Sequence, residues 1–524
     1  MTVDLKRVVR NDAGRDDAKD VAEDHVKRVA DHGPAQRAAQ PAAAPPKRSL
    51  ASRTADMLNS LGTRYLPFAD AASAELPLGR LLRLALFQVS VGMALTLLVG
   101  TLNRVMIVEL GVAALVVSAM IALPLLFAPF RALIGFRSDV HRSAFGWRRV
   151  PYLWFGTLLQ FGGFAIMPFA LLLLGGDHSA PMWVGTAGAA LAFLLVGAGA
   201  HTVQTAGLAL ATDLANPEQR PRVVALLYLF LLAGMIIGGV AYAVVLANFS
   251  PLRLIQVIQG AAVITIVLNG VALWKQEARD RTRATRPPET LRFRDAWRAF
   301  TQGGRATRLL VAVGLGAAGF SMQDVLLEPF GGEVLGMGVG GTSLLTALTA
   351  GGAVVAFALA ARMLERGADA CRLAAMGALV GVGAFVAVIL SGVMGSPLAL
   401  QIGAVLIGIG GGFFLVGTLT AAMDLHQAES NGLAMGAWGA VQATSMGVAV
   451  IIGGVIRDGA AILAATGRLG PGFEGPTAGY MLVFQLEIVA LFLAMAVLGP
   501  LVASGRTIPA GPERRRFGLA ELPG

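Results

Sequence analysis

Cysteine is nearly absent from this chain. Cys371 stands alone among 524 residues, which excludes a disulfide framework and any cysteine-built zinc centre. Charge is scarce too, at 14% of residues where soluble proteins average about 25%. It is also clustered: residues 1–83, 275–308 and 504–524 carry 45 of the charged side chains, leaving 29 for the other 386 residues. A water-soluble globule could not solvate such a surface. Near the N-terminus no short charged region leads into an apolar run and a small-residue cleavage site, so no signal peptide is expected. What is abundant is apolar sequence, at 55% hydrophobic with 66 glycines. These features predict an all-α, polytopic membrane protein.

A spanning helix needs roughly 20 mostly apolar residues. Twelve segments qualify: 84–107, 112–134, 151–174, 183–212, 223–247, 252–274, 309–330, 342–361, 373–391, 397–422, 432–456 and 478–503. The long connection 275–308 divides them six and six. The expected organisation is therefore a largely disordered tail over 1–79, six-helix halves over 80–274 and 309–503, the central loop 275–308, and a second tail over 504–524. Leu78–Leu84 is read as an interfacial helix that turns Arg80 and Arg83 towards the headgroups. With both termini cytoplasmic, only Arg104, Arg253, Arg457 and Arg468 fall on the far side, against 38 Lys and Arg on the near side. The net charge of +10 thus reports topology and contact with anionic lipid rather than nucleic acid. The fourth segment ends at Asp213 and the tenth at Asp424, each in an Ala-x-Asp-Leu sequence after a Gly-rich stretch. Paired six-helix halves of this kind describe the major facilitator architecture.

Polar residues inside the apolar segments are candidates for function by default. Asp324, Glu328 and Glu487 lie at mid-depth or towards the far side, with Gln323 beside them and Asn103 and Arg104 at a similar level on the first segment. An Arg104–Asp324 pair is expected, either as a structural bridge between halves or as part of a site. Asp324 and Glu328, four apart on one helical face, could share a proton. His201 and Gln204 lie three apart on the fourth segment. There an imidazole is either a helix-packing donor or a metal ligand, including to the magnesium of a macrocycle. No metal ion is expected to be held directly otherwise, and no catalytic nucleophile stands out. The loop after the second segment carries Gly135, Asp139, Arg142, Gly146, Arg148 and Arg149. This resembles the facilitator loop motif, in which an acid and paired arginines latch neighbouring helices on the cytoplasmic face.

Longer stretches are more specific. Gly100–Leu110, Leu123–Asp139, Gly146–Tyr152, His201–Leu214, Gln323–Leu335 and Gly436–Gln442 resemble the PucC/LhaA family of photosynthetic bacteria, the bacteriochlorophyll delivery branch of the facilitator superfamily. The resemblance covers about residues 80–503. It implies a factor for light-harvesting complex assembly in the inner or intracytoplasmic photosynthetic membrane, with LH1-type members preferred to LH2-type. It further implies bacteriochlorophyll or a precursor as bound ligand, with antenna polypeptides and the pigment biosynthesis or insertion machinery as partners. Two other readings stay open. One is a proton-coupled secondary transporter using Asp324 or Glu328, although the fourth segment lacks the arginine common in proton antiporters of this superfamily. The other is a scaffold for antenna helices that never touches pigment.

Overall fold

The computed structural model describes residues 76–126, 147, 149–175, 181–216, 219–277, 304–424, 431–466 and 477–502. All regular structure among them is helical. Helix α1 (Leu78–Leu95) continues through two π-helical stretches, Thr96–Leu102 and Val105–Glu109. There follow α2 (Ala114–Leu126), α3 (Val150–Leu174), α4 (Met182–Leu214), α5 (Arg220–Val245) and α6 (Pro251–Leu273). Helix α7 (Arg305–Ser321) passes through a 3₁₀ turn, Met322–Val325, and resumes as α8 (Leu327–Glu333). The remainder are α9 (Val339–Glu365), α10 (Ala370–Met394), α11 (Pro397–Asp424), α12 (Asn431–Ala465) and α13 (Thr477–Leu498).

Eleven spans among the described residues are long and apolar enough to cross a membrane, with α7 and α8 forming one bent span. The expected second span, 112–134, is described only in its first part, α2; the rest lies outside the described residues. Large apolar side chains such as Phe169, Val244 and Val393 stand outward, at 67%, 71% and 76% exposure. That is a surface only lipid would tolerate over so much area. The chain is a multi-pass membrane protein.

Local chemistry sets the ends. Proline occupies the first turn of α3, α5 and α6, where its missing N–H costs nothing. Ser250 caps α6 and Asp369 caps α10, while Gly395 closes α10 in the left-handed conformation. Two expected boundaries are corrected. Leu78–Leu84 is no separate interfacial helix but the opening of α1, and Arg80 turns inward to donate to Gln276 Oε1 at 3.0 Å. Helix α12 runs to Ala465, past the expected end at 456, because Arg457 and Asp458 find partners inside the bundle.

The helices pack as two groups, α1–α6 and α7–α13, joined mainly through α5 against α9 and α2 against α12. Small residues allow this. A Cβ on Gly340 of α9 would collide with the Ala243 carbonyl of α5, and one on Gly100 of α1 would collide with the Thr346 hydroxyl of α9. In the second group Phe320, Phe385, Phe484 and Phe330 form a chain of rings with centroids 5.3–6.5 Å apart. This framework surrounds the break between α7 and α8.

Candidate functional site

The polar residues of the apolar segments gather where the last turns of α1 meet the α7–α8 break. Asn103 is fully buried. Its Nδ2 donates to Glu328 Oε2 at 3.1 Å and lies 3.3 Å from the Val325 carbonyl. Thr346 Oγ1 of α9 donates to the other oxygen, Glu328 Oε1, at 2.8 Å, so a buried carboxylate receives donors from two neighbouring elements. Thr101 and Ser343 hydroxyls meet at 3.0 Å beside it. The π-helical stretches on both sides of Asn103 and Arg104 loosen α1 at this level, a deviation that recurs at functional positions.

The expected Arg104–Asp324 pair does not form. Arg104 instead pairs with Glu109, five residues on in its own π-helical stretch, and donates to the Met337 carbonyl at 3.1 Å. The shared helical face of Asp324 and Glu328 is also lost, because a 3₁₀ turn and a helix break separate them. Asp324 is half-buried and accepts from Gln323 Nε2 at 2.6 Å. The Gln323 backbone N–H, freed by the break, donates to Glu487 Oε1 of α13 at 2.7 Å. The break is thus stitched from both sides, by Asn103 and by Glu487.

Beside this junction lies a network that no motif announced. Arg457 of α12 bonds Glu333 of α8 at 2.6 Å and Asp458 at 2.9 Å, and sits 5.0 Å over the Tyr480 ring. Tyr480 itself donates to Glu333 at 2.9 Å. Asp458 then accepts the Leu115 and Ala114 N–H groups at 2.8 and 3.3 Å, capping α2 from the opposite group. The available signal was an Arg-Asp pair at the end of an apolar segment.

At the other end of the bundle, Arg149 Nε meets Asp213 at 3.1 Å. One arginine of the expected loop motif therefore joins one acid of the helix-end repeat, tying α3 to the end of α4. Glu277 caps α3 by accepting the Arg149 and Val150 N–H groups at 3.0 Å. Gly135, Asp139, Arg142, Gly146 and Arg148 lie outside the described residues, and Asp424 closes α11.

The PUCC protein family matches residues 101–506. The chain belongs to the PucC family. It is 58% identical to Protein PucC of Rhodovulum sulfidophilum over 78% of this chain and 91% of that one. It is 55% identical to the "Uncharacterized protein in puhA-bchM intergenic region" of Rhodobacter capsulatus over 89% and 98%. Among solved structures, a bacterial homolog of the lysosomal transporter Spinster matches with TM-score 0.59 and 15% identity, covering 84% of this chain and 99% of that one. At that identity the likeness concerns the fold, which is of the facilitator transporter type.

The PucC match begins at Thr101 and so contains the whole junction. It also contains His201 and Gln204, which the structure keeps apart from the junction. Gly207 of α4 packs on Phe87 of α1, so His201 lies near the level of Met93. Asn103 is ten residues further on, about 15 Å at the helical rise. Leu194, Ala198, His201, Thr205, Ala209 and Thr212 form a partly accessible stripe at three- and four-residue spacing between buried neighbours. Gln204 is buried beside it. Sequence reading passed over Gln88 of α1 and Gln160 of α3. Both are fully buried with neither amide atom hydrogen-bonded among the described residues, and the only signal for either was a lone amide within an apolar segment.

Proposed function

We propose that this PucC family member is an assembly factor for light-harvesting antenna complexes, binding or delivering bacteriochlorophyll or a precursor to antenna polypeptides in the photosynthetic inner membrane. What supports this reading is membership of the PucC family across the membrane domain, joined to the resemblance in the stretches around Asn103, His201 and Asp324. In this proposal both termini are cytoplasmic, as the distribution of Lys and Arg favours, and the LH1-type complex is the preferred client.

The donor set on α4 fits the pigment chemically. A bacteriochlorophyll magnesium accepts one axial nitrogen or water ligand, and its ring carries carbonyls that take hydrogen bonds. His201, on a partly accessible stripe of α4, would supply the imidazole, and Gln204 the amide. The expected Arg104–Asp324 pair has no part in this proposal, since Arg104 pairs with Glu109 instead. No catalytic step is assigned.

The test is an absorption spectrum and mass spectrometry of the gently solubilised protein, with a deletion strain beside it. The expected result is co-purifying bacteriochlorophyll or precursor, and antenna complexes reduced while pigment synthesis continues. Full antenna levels in the deletion strain would overturn the assembly role. A pigment-free preparation that still retains antenna polypeptides would convert it to a scaffold. His201→Ala should lower the co-purifying pigment several-fold; unchanged pigment and antenna yield would remove the axial ligand.

A further inference from the structure

The break between α7 and α8 leaves a charge problem that the pigment reading does not address. Three acids surround it: Asp324 on the 3₁₀ turn, Glu328 at the start of α8 and Glu487 on α13. Glu328 is served by two donors. Glu487 is completely buried. Its Oε1 takes the Gln323 N–H, but its Oε2 has no hydrogen-bond partner among the described residues. Asp324 lies within electrostatic range of both glutamates, and of the three it alone is only half-buried.

The charged groups on the neighbouring elements are matched elsewhere. Arg104 is held by Glu109 and the Met337 carbonyl. Arg457 is held by Glu333 and Asp458, with Tyr480 bonded to the same Glu333 oxygen. No hydrogen bond or ion pair among the described residues brings a lysine or arginine to Asp324, Glu328 or Glu487. Bare carboxylates buried without a counter-charge are costly in protein and more so in a membrane. If Glu487 were only a cap for the Gln323 N–H, one oxygen would suffice and glutamine would serve equally.

We propose that the carboxylates of Glu487 and Asp324 at the break hold one monovalent cation, either a proton or a sodium ion. The site suits either, since carboxylate oxygens are hard donors and Glu487 Oε2 is buried with no hydrogen bond among the described residues. The Gln323, Asp324 and Val325 carbonyls are already bonded by Leu326 and Asn103. Occupancy would cancel one of the three carboxylate charges at the junction where α1, α7, α8 and α13 converge. The site stands independently of pigment binding on α4.

The experiment uses the purified full chain in detergent. Its melting temperature is followed across a sodium series balanced with choline at constant ionic strength, and across a pH series without sodium. A rise with sodium identifies the metal ion. A rise on acidification without a sodium effect identifies the proton. Either dependence should shrink several-fold in both Glu487→Gln and Asp324→Asn. A wild-type protein indifferent to both cations, or variants that keep the full dependence, would overturn the site. Should Glu487→Gln fail to fold, Asp324→Asn is judged by the same criterion. Binding of radioactive sodium and the infrared band of a protonated carboxyl are then measured on the wild type; absence of both also overturns it.

Discussion

Glu328 shows what a buried acid requires. Each of its oxygens receives one donor, Asn103 from α1 and Thr346 from α9, so the carboxylate bridges both helix groups. Removing one donor leaves a buried oxygen unserved. Asn103→Ala or Thr346→Val should each destabilise the protein by about 1–2 kcal/mol. The double variant should depart from the sum, since both residues serve one carboxylate. Melting in detergent, with Glu328→Gln as the reference background, checks this; strict additivity would refute the shared role. Gln160 presents the opposite case. Its buried amide has no partner, so Gln160→Leu should raise stability by about 1 kcal/mol. If that gain comes with weaker co-purification of pigment, the amide was kept for binding rather than for packing.

At the level of elements, the start of α2 depends on the opposite group for its cap. Asp458 takes its first N–H groups, and Arg457 and Glu333 hold Asp458 in place through α12 and α8. The result is a tie between groups at the end where α1 finishes and α2 begins. Asp458→Ala should cost about 1 kcal/mol, the usual price of a lost cap. It should also loosen α2 from α12. Thiol labelling of Leu115→Cys, in a background with Cys371→Ser, should accelerate when Asp458→Ala is added. Unchanged labelling would show that the Gly454–Ser118 packing holds the two helices without the cap. At the other end, Arg149–Asp213 and Glu277 act within the first group alone, so they brace α3, α4 and α6 without joining the groups.

For the whole molecule, the charge distribution carries the orientation. Described Lys and Arg concentrate at the end of the bundle that holds Arg80, Arg149, Arg220, Arg305 and Arg362, while the end with Glu333 and Asp458 keeps Arg104, Arg253 and Arg457. By the positive-inside rule the proposed topology has the first end in the cytoplasm. A fluorescent protein fused after Gly524 should fluoresce, and a periplasmic phosphatase fused there should be inactive. The reverse pattern would invert the topology and place the α7–α8 break nearer the cytoplasmic surface.

Much of this was legible in the residues because hydropathy and charge act over whole segments. Lipid forces every spanning backbone into helices, so apolar length determined the class and the approximate place of eleven spans among the described residues. The stretches from Gly100 to Gln442 carried the family. Polar residues in apolar surroundings marked Asn103, Arg104, Asp324, Glu328 and Glu487 as candidates, since each needs a reason to be there. Their partners were a different matter. Arg104 turned to Glu109 rather than Asp324 because α1 is π-helical at that level, and Asp324 and Glu328 lost their common face because the span breaks between them. Asp458 became a cap only because α12 crosses the start of α2. Hydropathy is a property of each residue and its neighbours along the chain, and the sequence by itself determined it. Pairing depends on the direction of a side chain within an ångström or two, and only the tertiary structure decided it.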